Sequence, residues 1–178
     1  MAAVFEAFVR EFQDMVFATA VRLLGNPTEA EDVSQTVFLK AFEHFDALVD
    51  NPGRAGWLKT TTTNLCLNHL TRYRARWQFF SELDAGSETQ RAFVESLAAP
   101  DPVREEPGFD DRARHLERAL RRLPDHQRVP MVLFHFEERS YQDIAALLGV
   151  SLGKVKTDIH RGRESLRKAL AGTGLGRI

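Results

Sequence analysis

The chain has 178 residues with 43% hydrophobic and 28% charged side chains, a composition typical of one ordinary folded domain or two small ones. No apolar run approaches the roughly 20 residues that span a bilayer, the N-terminal stretch lacks the basic segment of a signal peptide, and the single cysteine, Cys66, excludes an internal disulfide and a cysteine zinc cluster. We therefore expect a protein of the reducing cytoplasm with no membrane insertion of its own, and the net charge of −1 gives no overall sign of a polyanionic partner.

The charge is distributed unevenly along the chain. Residues 1–80 carry 8 basic and 9 acidic side chains, residues 81–111 carry 2 and 9, and residues 112–178 carry 14 and 7. Electrostatic fields act locally in salt solution, so this asymmetry is more informative than the total. It predicts a balanced N-terminal module at 1–80, an acidic flexible linker at 81–109 and a basic C-terminal module at 110–172.

Helical periodicity dominates the N-terminal module, and no segment shows sustained two-residue alternation. A first helix is predicted over Val4–Leu24, where a Gly-Asn-Pro sequence stops it. A second is predicted over Thr28–Phe45, and a third over Ala55–Trp77 after an Asp-Asn-Pro-Gly turn signal. The third contains the four threonines 60–63, which are poor helix formers because they are β-branched, so we expect tertiary packing to override local preference there.

The acidic segment contains three prolines and two glycines and predicts an extended linker, with one short helix at Thr89–Leu97 as the only regular element considered. Beyond it, helices are predicted over Asp110–Leu123 and Asp125–Glu137. Pro130 falls inside the second of these and should kink it or shift its start.

The most informative signal lies at the C-terminal end. Ser140-Tyr-Gln-Asp is a capping box that opens a short helix, Tyr141–Leu148, and Gly149-Val-Ser forms a tight turn before a helix that extends to about Leu170. That last helix has an apolar stripe on one side and, on the other, Lys154, Lys156, Thr157, His160 and Arg161. A basic face on the second helix after a three-residue turn favours a helix-turn-helix in the DNA major groove over an ordinary hairpin with a solvated face.

Two stretches stand out in the N-terminal module. Residues 30–42 place Asp32, Gln35 and Leu39 on one side of a helix. Residues 57–77 mix aromatics, amides and arginines without a single acid, which suits a nucleic-acid strand. An amphipathic helix with a basic end explains the second stretch equally well when it stands alone.

Together, the two modules resemble the extracytoplasmic-function (ECF) sigma factors, the small two-domain branch of the sigma-70 family. The region 2 pattern, A-E-D-x-x-Q followed by W-L and N-L, is matched by Ala30–Phe42 and Trp57–Arg74, and the region 4 pattern by Leu120–Arg128 and Ser140–Thr157. The resemblance implies an all-α protein of two small helical domains that binds core RNA polymerase and directs promoter-specific transcription initiation. It also implies an anti-sigma factor as a partner.

The resemblance assigns roles by position. The surface that grips the clamp helices of core RNA polymerase would include Asp32, Gln35, Phe38 and Phe42. The contacts to the −10 element would come from a base pocket at Leu48, Asp50 and Asn51 and from strand contacts by Asn64, Asn68, Arg72 and Arg74. The −35 element of the promoter DNA would be read by Lys154, Lys156, Thr157, His160 and Arg161.

The chain departs from the family pattern at several positions. Members commonly have Asp where Asn68 stands, Arg or Ile-Ala-Arg where Thr61–Thr63 stands, and Arg where Asp158 stands, and Pro130 is unusual. We expect Asp158 at the edge of the basic face, where it would repel a phosphate or accept a hydrogen bond from a cytosine amino group.

The sequence offers no signature of catalysis. The histidines have no metal-ligand spacing, and there is neither a Ser/His/Asp constellation nor a glycine-rich phosphate loop. We therefore predict a non-enzymatic protein without metal or other cofactor. Two other interpretations stay open: a stand-alone helix-turn-helix regulator, in which the surface around Asp32 has no purpose, and an interaction protein whose helices only pack on a regulatory partner.

Overall fold

The computed structural model describes residues 2–83 and 111–171, with side chains described outside 72–83. The chain divides into two compact units, Met1–Phe80 and Ser81–Ile178. All regular structure in the described part is helical, which confirms the all-α class. The N-terminal unit holds α1 (Ala2–Leu24), α2 (Pro27–Glu43), α3 (Phe45–Leu48) and α4 (Arg54–Leu83), and the C-terminal unit holds α5 (Asp111–Arg122), α6 (Asp125–His135), α7 (Tyr141–Leu148) and α8 (Leu152–Ala171).

The antiparallel pair α1 and α2 forms the core of the N-terminal unit. Phe8, Phe12 and Val16 of α1 are buried, as the periodicity predicts, and α2 contributes Val33 and Val37. The chain reverses at a glycine with positive φ, Gly25 (φ 70°), whose N–H donates to the Val21 carbonyl at 2.8 Å.

The structure divides the second predicted helix, Thr28–Phe45, in two. Helix α2 ends at Glu43, His44 leaves the helical region (φ −111°, ψ 17°), and Phe45 begins α3. The ring of Phe45 lies 5.1 Å from that of Phe5 and 5.5 Å from that of Phe8, centroid to centroid. These contacts with α1 stabilise the break, which local periodicity alone does not signal.

Helix α4 continues through the four threonines, as expected from tertiary packing. Thr62 and Thr63 are buried, and the Thr62 hydroxyl donates to the Leu58 carbonyl at 2.7 Å, so burial leaves this hydroxyl satisfied. Cys66 is fully buried one turn further on, so this cysteine is part of the core.

In the C-terminal unit, Arg128 joins α5 to α6. Its side chain is buried, forms an ion pair with Asp125, and donates to the Leu123 carbonyl at 2.6 Å and the Arg121 carbonyl at 3.4 Å. These carbonyls lie at the end of α5, where a helix has no partners of its own for them. Pro130 lies buried within α6, which still begins at Asp125, so the predicted shift of its start does not occur.

The predicted short helix at Thr89–Leu97 and most of the acidic linker lie outside the described residues. Within the part of the chain that the structure describes, none of the helices has the length and apolar character needed to span a bilayer.

Candidate nucleic-acid and protein interfaces

The helix-turn-helix of the C-terminal unit has the predicted cap geometry. The Asp143 N–H donates to the Ser140 hydroxyl oxygen at 3.1 Å, while the Asp143 carboxylate accepts from the Ser140 hydroxyl at 2.7 Å and from its N–H at 3.3 Å. These hydrogen bonds hold the pKa of Asp143 below its ordinary value. Gly149 ends α7 with φ 65°, and the Ser151 hydroxyl accepts from the Lys154 N–H at 3.2 Å. The capping box, the glycine turn and the second cap are all confirmed.

The two helices of this motif present one buried and one exposed side. The buried side packs into the unit through Ile144, Leu148, Val155, Ile159 and Leu166. All five residues predicted to read DNA are exposed along α8, namely Lys154, Lys156, Thr157, His160 and Arg161. The structure therefore brings the predicted set together on a single solvent-facing helix.

Asp158 does not lie on that exposed face. Its side chain is only 8% exposed, and its carboxylate accepts from the Lys154 Nζ at 2.9 Å, whereas the Lys154 side chain remains 51% exposed. At 100° per residue, Asp158 lies about 60° from Val155 in the apolar stripe, and the packing of the unit covers this flank. The expectation that Asp158 stands at the open edge of the basic face is thus wrong.

His126 of α6 lies within electrostatic reach of this ion pair. The pKa of His126 is lowered, and burial is the largest cause. The negative charges of Asp158 and Asp125 oppose this shift, whereas the positive charges of Lys154 and Arg161 add to it. The buried carboxylate of Asp158 is therefore within electrostatic range of α6.

The N-terminal unit carries an open groove of about 720 Å³ between α1 and α2. Its α2 side includes three of the four predicted polymerase-binding residues, Gln35, Phe38 and Phe42, while Asp32 is exposed on the same helix outside the lining. Its α1 side and the rest of α2 contribute Phe5, Val9, Gln13, Asp14, Phe17, Glu31, Ser34 and Leu39. The α1 side of the groove was not predicted from the sequence, although Val9 and Phe17 lie off the main buried stripe of that helix.

Two large apolar side chains of this groove are open to solvent. Leu39 is 66% exposed and Phe42 is 51% exposed. Apolar residues that cluster on the surface of a folded unit are typical of sites that a partner covers.

The loop between α3 and α4 exposes Asp50 and Asn51, whereas Leu48 is buried in the core beneath it. The Asn51 side-chain oxygen accepts from the Gly53 N–H at 2.8 Å and so shapes the loop from within. Leu48 supports this loop and in this conformation presents no surface to a ligand.

Arg54 fixes the base of the same loop. Its guanidinium donates to the Val49 carbonyl at 2.7 Å and to Glu11 of α1 at 3.2 Å, and it lies 5.5 Å from the centre of the Phe12 ring. Arg54 could not be singled out from the sequence, because Glu11 and Phe12 come from a distant part of the chain.

Asn64 and Asn68 are exposed one turn apart on α4, on the side opposite the buried Thr62 and Cys66. The side chains of Arg72 and Arg74 lie outside the described residues. Among the residues that are described, no three histidine, cysteine or acidic side chains gather as a metal site would require.

Comparison with known proteins gives matches to both units. The family model "Sigma-70 region 2" matches residues 8–76, and "Sigma-70, region 4" matches residues 113–166. The chain is 32% identical over 168 residues to the ECF RNA polymerase sigma factor SigW of Bacillus subtilis, covering 93% of this chain and 88% of that protein. It is 38% identical over 168 residues to the ECF RNA polymerase sigma factor SigE of Mycolicibacterium smegmatis, of which it spans 61%.

The fold is similar to that of a solved sigma factor. The sigma factor RpoE of Bartonella quintana, crystallised with the anti-sigma factor NepR, gives a TM-score of 0.51 at 24% identity, over 94% of this chain and 96% of that one.

Proposed function

The chain belongs to the sigma-70 family as an ECF RNA polymerase sigma factor, and from this we propose how its two units divide promoter recognition. The module at 1–80 binds core RNA polymerase and the opened −10 element, and the module at 110–172 binds the −35 element as duplex DNA. The acidic linker at 81–109 connects them. The protein acts in the cytoplasm by binding, and the polymerase carries out the chemistry.

The groove between α1 and α2 is the proposed docking surface for the clamp helices of the polymerase. Leu39 and Phe42 supply apolar area that is removed from water when a helix lies in the groove. Asp32 and Gln35 add a polar margin that can pair with basic and amide groups of the partner.

The exposed loop at Asp50 and Asn51 and the amide side of α4 form the proposed −10 surface. A base turned out of the duplex needs a preshaped pocket with hydrogen-bonding groups, and the exposed carboxylate and amides near the loop provide such groups. Asn64 and Asn68 extend this surface along α4, and Arg72 and Arg74, further along the sequence, are assigned contacts with the displaced strand by the resemblance alone.

The exposed face of α8 is the proposed −35 reader. Lysine and arginine side chains recognise guanine O6 and N7 in the major groove, while Thr157 and His160 supply further hydrogen bonds. The capping box and the glycine turn set the angle at which α8 leaves α7, and this angle presents the N-terminal half of α8 to the groove.

The exposed groove on α1 and α2 is the observation that carries the proposal, because a stand-alone helix-turn-helix regulator has no use for it. A pull-down of core RNA polymerase by the tagged full chain tests it. We expect the wild-type chain to retain the polymerase and Asp32→Arg with Gln35→Ala to lose it. Lys40→Ala is the matched control, because Lys40 is an exposed charged residue of α2 to which the proposal gives no part in polymerase binding. Failure of the wild-type chain to retain core polymerase would refute the assignment.

An anti-sigma factor is the proposed regulator of these surfaces. The sigma factor of similar fold was solved with such a partner, and the exposed groove on α1 and α2 is a surface that a regulator can occupy in competition with polymerase. To find this regulator, the tagged chain is purified from its own cells under conditions in which core polymerase is occupied by other partners. We expect an anti-sigma factor to co-purify with the chain.

A further inference from the structure

One ion pair separates Lys154 from the other cations on the exposed face of α8. The carboxylate of Asp158, 8% exposed, holds the Lys154 Nζ at 2.9 Å. Among the described residues, no ion pair joins Lys156 or Arg161 to an acidic side chain, although both share the exposed face with Lys154. Lys154 therefore differs from Lys156 in that its positive charge is already paired with a carboxylate.

Burial of the Asp158 carboxylate makes this pair a fixed feature of the unit. A carboxylate removed from water requires a positive or hydrogen-bonding partner. His126 of α6 lies within electrostatic range of it, but burial lowers the pKa of His126, so this imidazole is disfavoured as a cation, and the Lys154 ammonium group is the partner at hydrogen-bond distance. The long, flexible lysine side chain is thereby tied to one position.

The pair has two consequences for DNA binding. The charge of Lys154 is already compensated, so Lys154 contributes little to the displacement of counterions from phosphates. Its ammonium group has three N–H donors, of which the carboxylate engages one, and the others remain available on the exposed side. A cation that is neutralised but still donates suits a base edge better than a phosphate.

We propose that Asp158 is a positioning residue that acts through Lys154: it withholds this lysine from the phosphate backbone and fixes its ammonium group as a hydrogen-bond donor to a guanine edge in the −35 element. The inference rests on the proposed −35 role of α8. Asp158 stands where members of the family commonly have Arg. The proposal makes its carboxylate a determinant of promoter selectivity.

The test uses the full chain reconstituted with core RNA polymerase, with Asp158→Asn as the central variant. Affinity is measured over a salt titration for duplex DNA carrying a mapped promoter and for the same DNA with a scrambled −35 element. The variant frees Lys154 to neutralise a phosphate, so we expect the slope of log K against log salt to steepen by about 0.9, the value for one added phosphate contact. We also expect the preference for the intact −35 element to fall by about tenfold, the scale of one base contact.

Two double variants show whether the effect passes through Lys154. In a Lys154→Ala background, Asp158→Asn should leave the salt slope unchanged, whereas in a Lys156→Ala background it should steepen the slope as in the wild type. Equal steepening in both backgrounds would overturn the proposal, as would an unchanged slope in Asp158→Asn alone.

A second variant covers the case in which Asp158→Asn does not fold, which thermal unfolding of the full chain would reveal. Lys154→Gln keeps a hydrogen-bond donor for the carboxylate but removes the ammonium group, and we expect it to lose −35 preference with little change in salt slope. A slope reduced by about 0.9 would instead show that Lys154 binds a phosphate in the wild type, contrary to the proposal.

The same measurements separate this inference from the −35 assignment. If Lys156→Ala lowers the salt slope while Asp158→Asn has no effect, the inference fails and the assignment stands. If the wild-type holoenzyme shows no −35 preference and Lys156→Ala has no effect, the assignment fails and the inference fails with it.

Discussion

Gly162 of α8 lies directly against the side chain of Met131 on α6, so closely that a β-carbon on residue 162 would overlap the Met131 sulfur. Both residues are buried. One turn further along α8, the Ser165 hydroxyl donates to the Gln127 side-chain oxygen at 3.2 Å. Helix α8 thus packs on α6 through a close approach that only a residue without a side chain permits.

Gly162→Ala should destabilise the C-terminal unit. Alanine gains about 1 kcal/mol over glycine inside a helix, but overpacking a buried contact costs typically about 1–3 kcal/mol, and Met131 is itself buried. We expect a net decrease of about 1 kcal/mol in the free energy of unfolding, measured by urea denaturation of the full chain with hydrogen exchange in α6 and α8 as the local readout.

Gly153→Ala is the matched control, because nothing lies within 4 Å of a β-carbon built at residue 153. It should leave stability unchanged or raise it slightly. Met131→Ala should cost about 2–5 kcal/mol on its own but remove the penalty of Gly162→Ala when the two are combined. If Gly162→Ala stabilises the wild-type chain by the full propensity gain, the close approach is not energetically significant.

Arg54→Ala should weaken −10 opening while leaving core polymerase binding intact. The guanidinium ties the loop at residues 49–53 to α1 through the Val49 carbonyl and Glu11. The net contribution of a hydrogen bond to stability is about 0.5–1.5 kcal/mol. We therefore expect open-complex formation, measured by permanganate reactivity, to fall by about three- to tenfold.

Glu11→Gln provides the graded comparison for Arg54. It removes the charge of one partner but keeps the bond from Arg54 to the Val49 carbonyl, so its effect should be smaller than that of Arg54→Ala. An equal decrease in both variants would show that the contact to α1, and not the bond within the loop, sets the loop geometry.

Lys156→Ala with Arg161→Ala should abolish −35-dependent initiation and spare core binding. Both side chains are exposed on the proposed reading face of α8, and we expect removal of each base or phosphate interaction to reduce promoter affinity about tenfold. Run-off transcription from a mapped promoter, with and without its −35 element, measures the effect.

Arg167→Ala with Lys168→Ala removes the same charge from the C-terminal end of α8. Because base edges are read by the N-terminal part of a recognition helix, this control should retain the −35 preference. Failure of Lys156→Ala with Arg161→Ala to bind core polymerase would show instead that these residues support the fold.

The C-terminal unit should lose stability as the pH falls below about 6.5, the ordinary pKa of histidine. Burial lowers the pKa of both His126 and His135 in the folded state, with Arg163 adding to the shift at His135. In acid the unfolded chain therefore takes up protons before the folded chain does, which favours unfolding. The stability contributed by the two neutral imidazoles is fully present above about pH 6.5 and declines below it.

Hydrogen exchange of residues 111–171 at about pH 7.5 and about pH 5.5, on either side of the ordinary histidine pKa and corrected for intrinsic rates, checks this dependence. His126→Gln should flatten the decline in part, because one of the two responsible groups is gone. Asp143, whose pKa is also lowered, titrates in more acidic solution and should not contribute in this range. Equal stability at both pH values would contradict the prediction.

The helix-turn-helix could be predicted because its determinants are local. Ser140 and Asp143 are three residues apart and cap the same helix, and Gly149 occupies a backbone conformation that other residues rarely adopt. The resemblance of both modules to one family then implied a separate role for each of them. Both inferences need only the order of residues along the chain.

Features that depend on a second helix could not be predicted in this way. The end of α2 at Glu43 follows from ring contacts between Phe45 and α1, and the groove requires α1 and α2 side by side. Asp158 was expected in solvent because a helical projection shows its angle but not which neighbour covers that angle. In each case the deciding contact lies far away in sequence.

Gly149 makes the helix-turn-helix sensitive to mutation at this position. Its left-handed backbone, with open space where a β-carbon would stand, accepts Asn best and Asp next. The glycine codons GGU and GGC reach Asp by one nucleotide change and Asn only by two. The accessible replacement would place a carboxylate beside the end of α8 that is proposed to enter the DNA groove, where phosphates repel it. Of the two replacements that this backbone accepts best, the one that a single nucleotide change can supply is therefore one that DNA binding should select against.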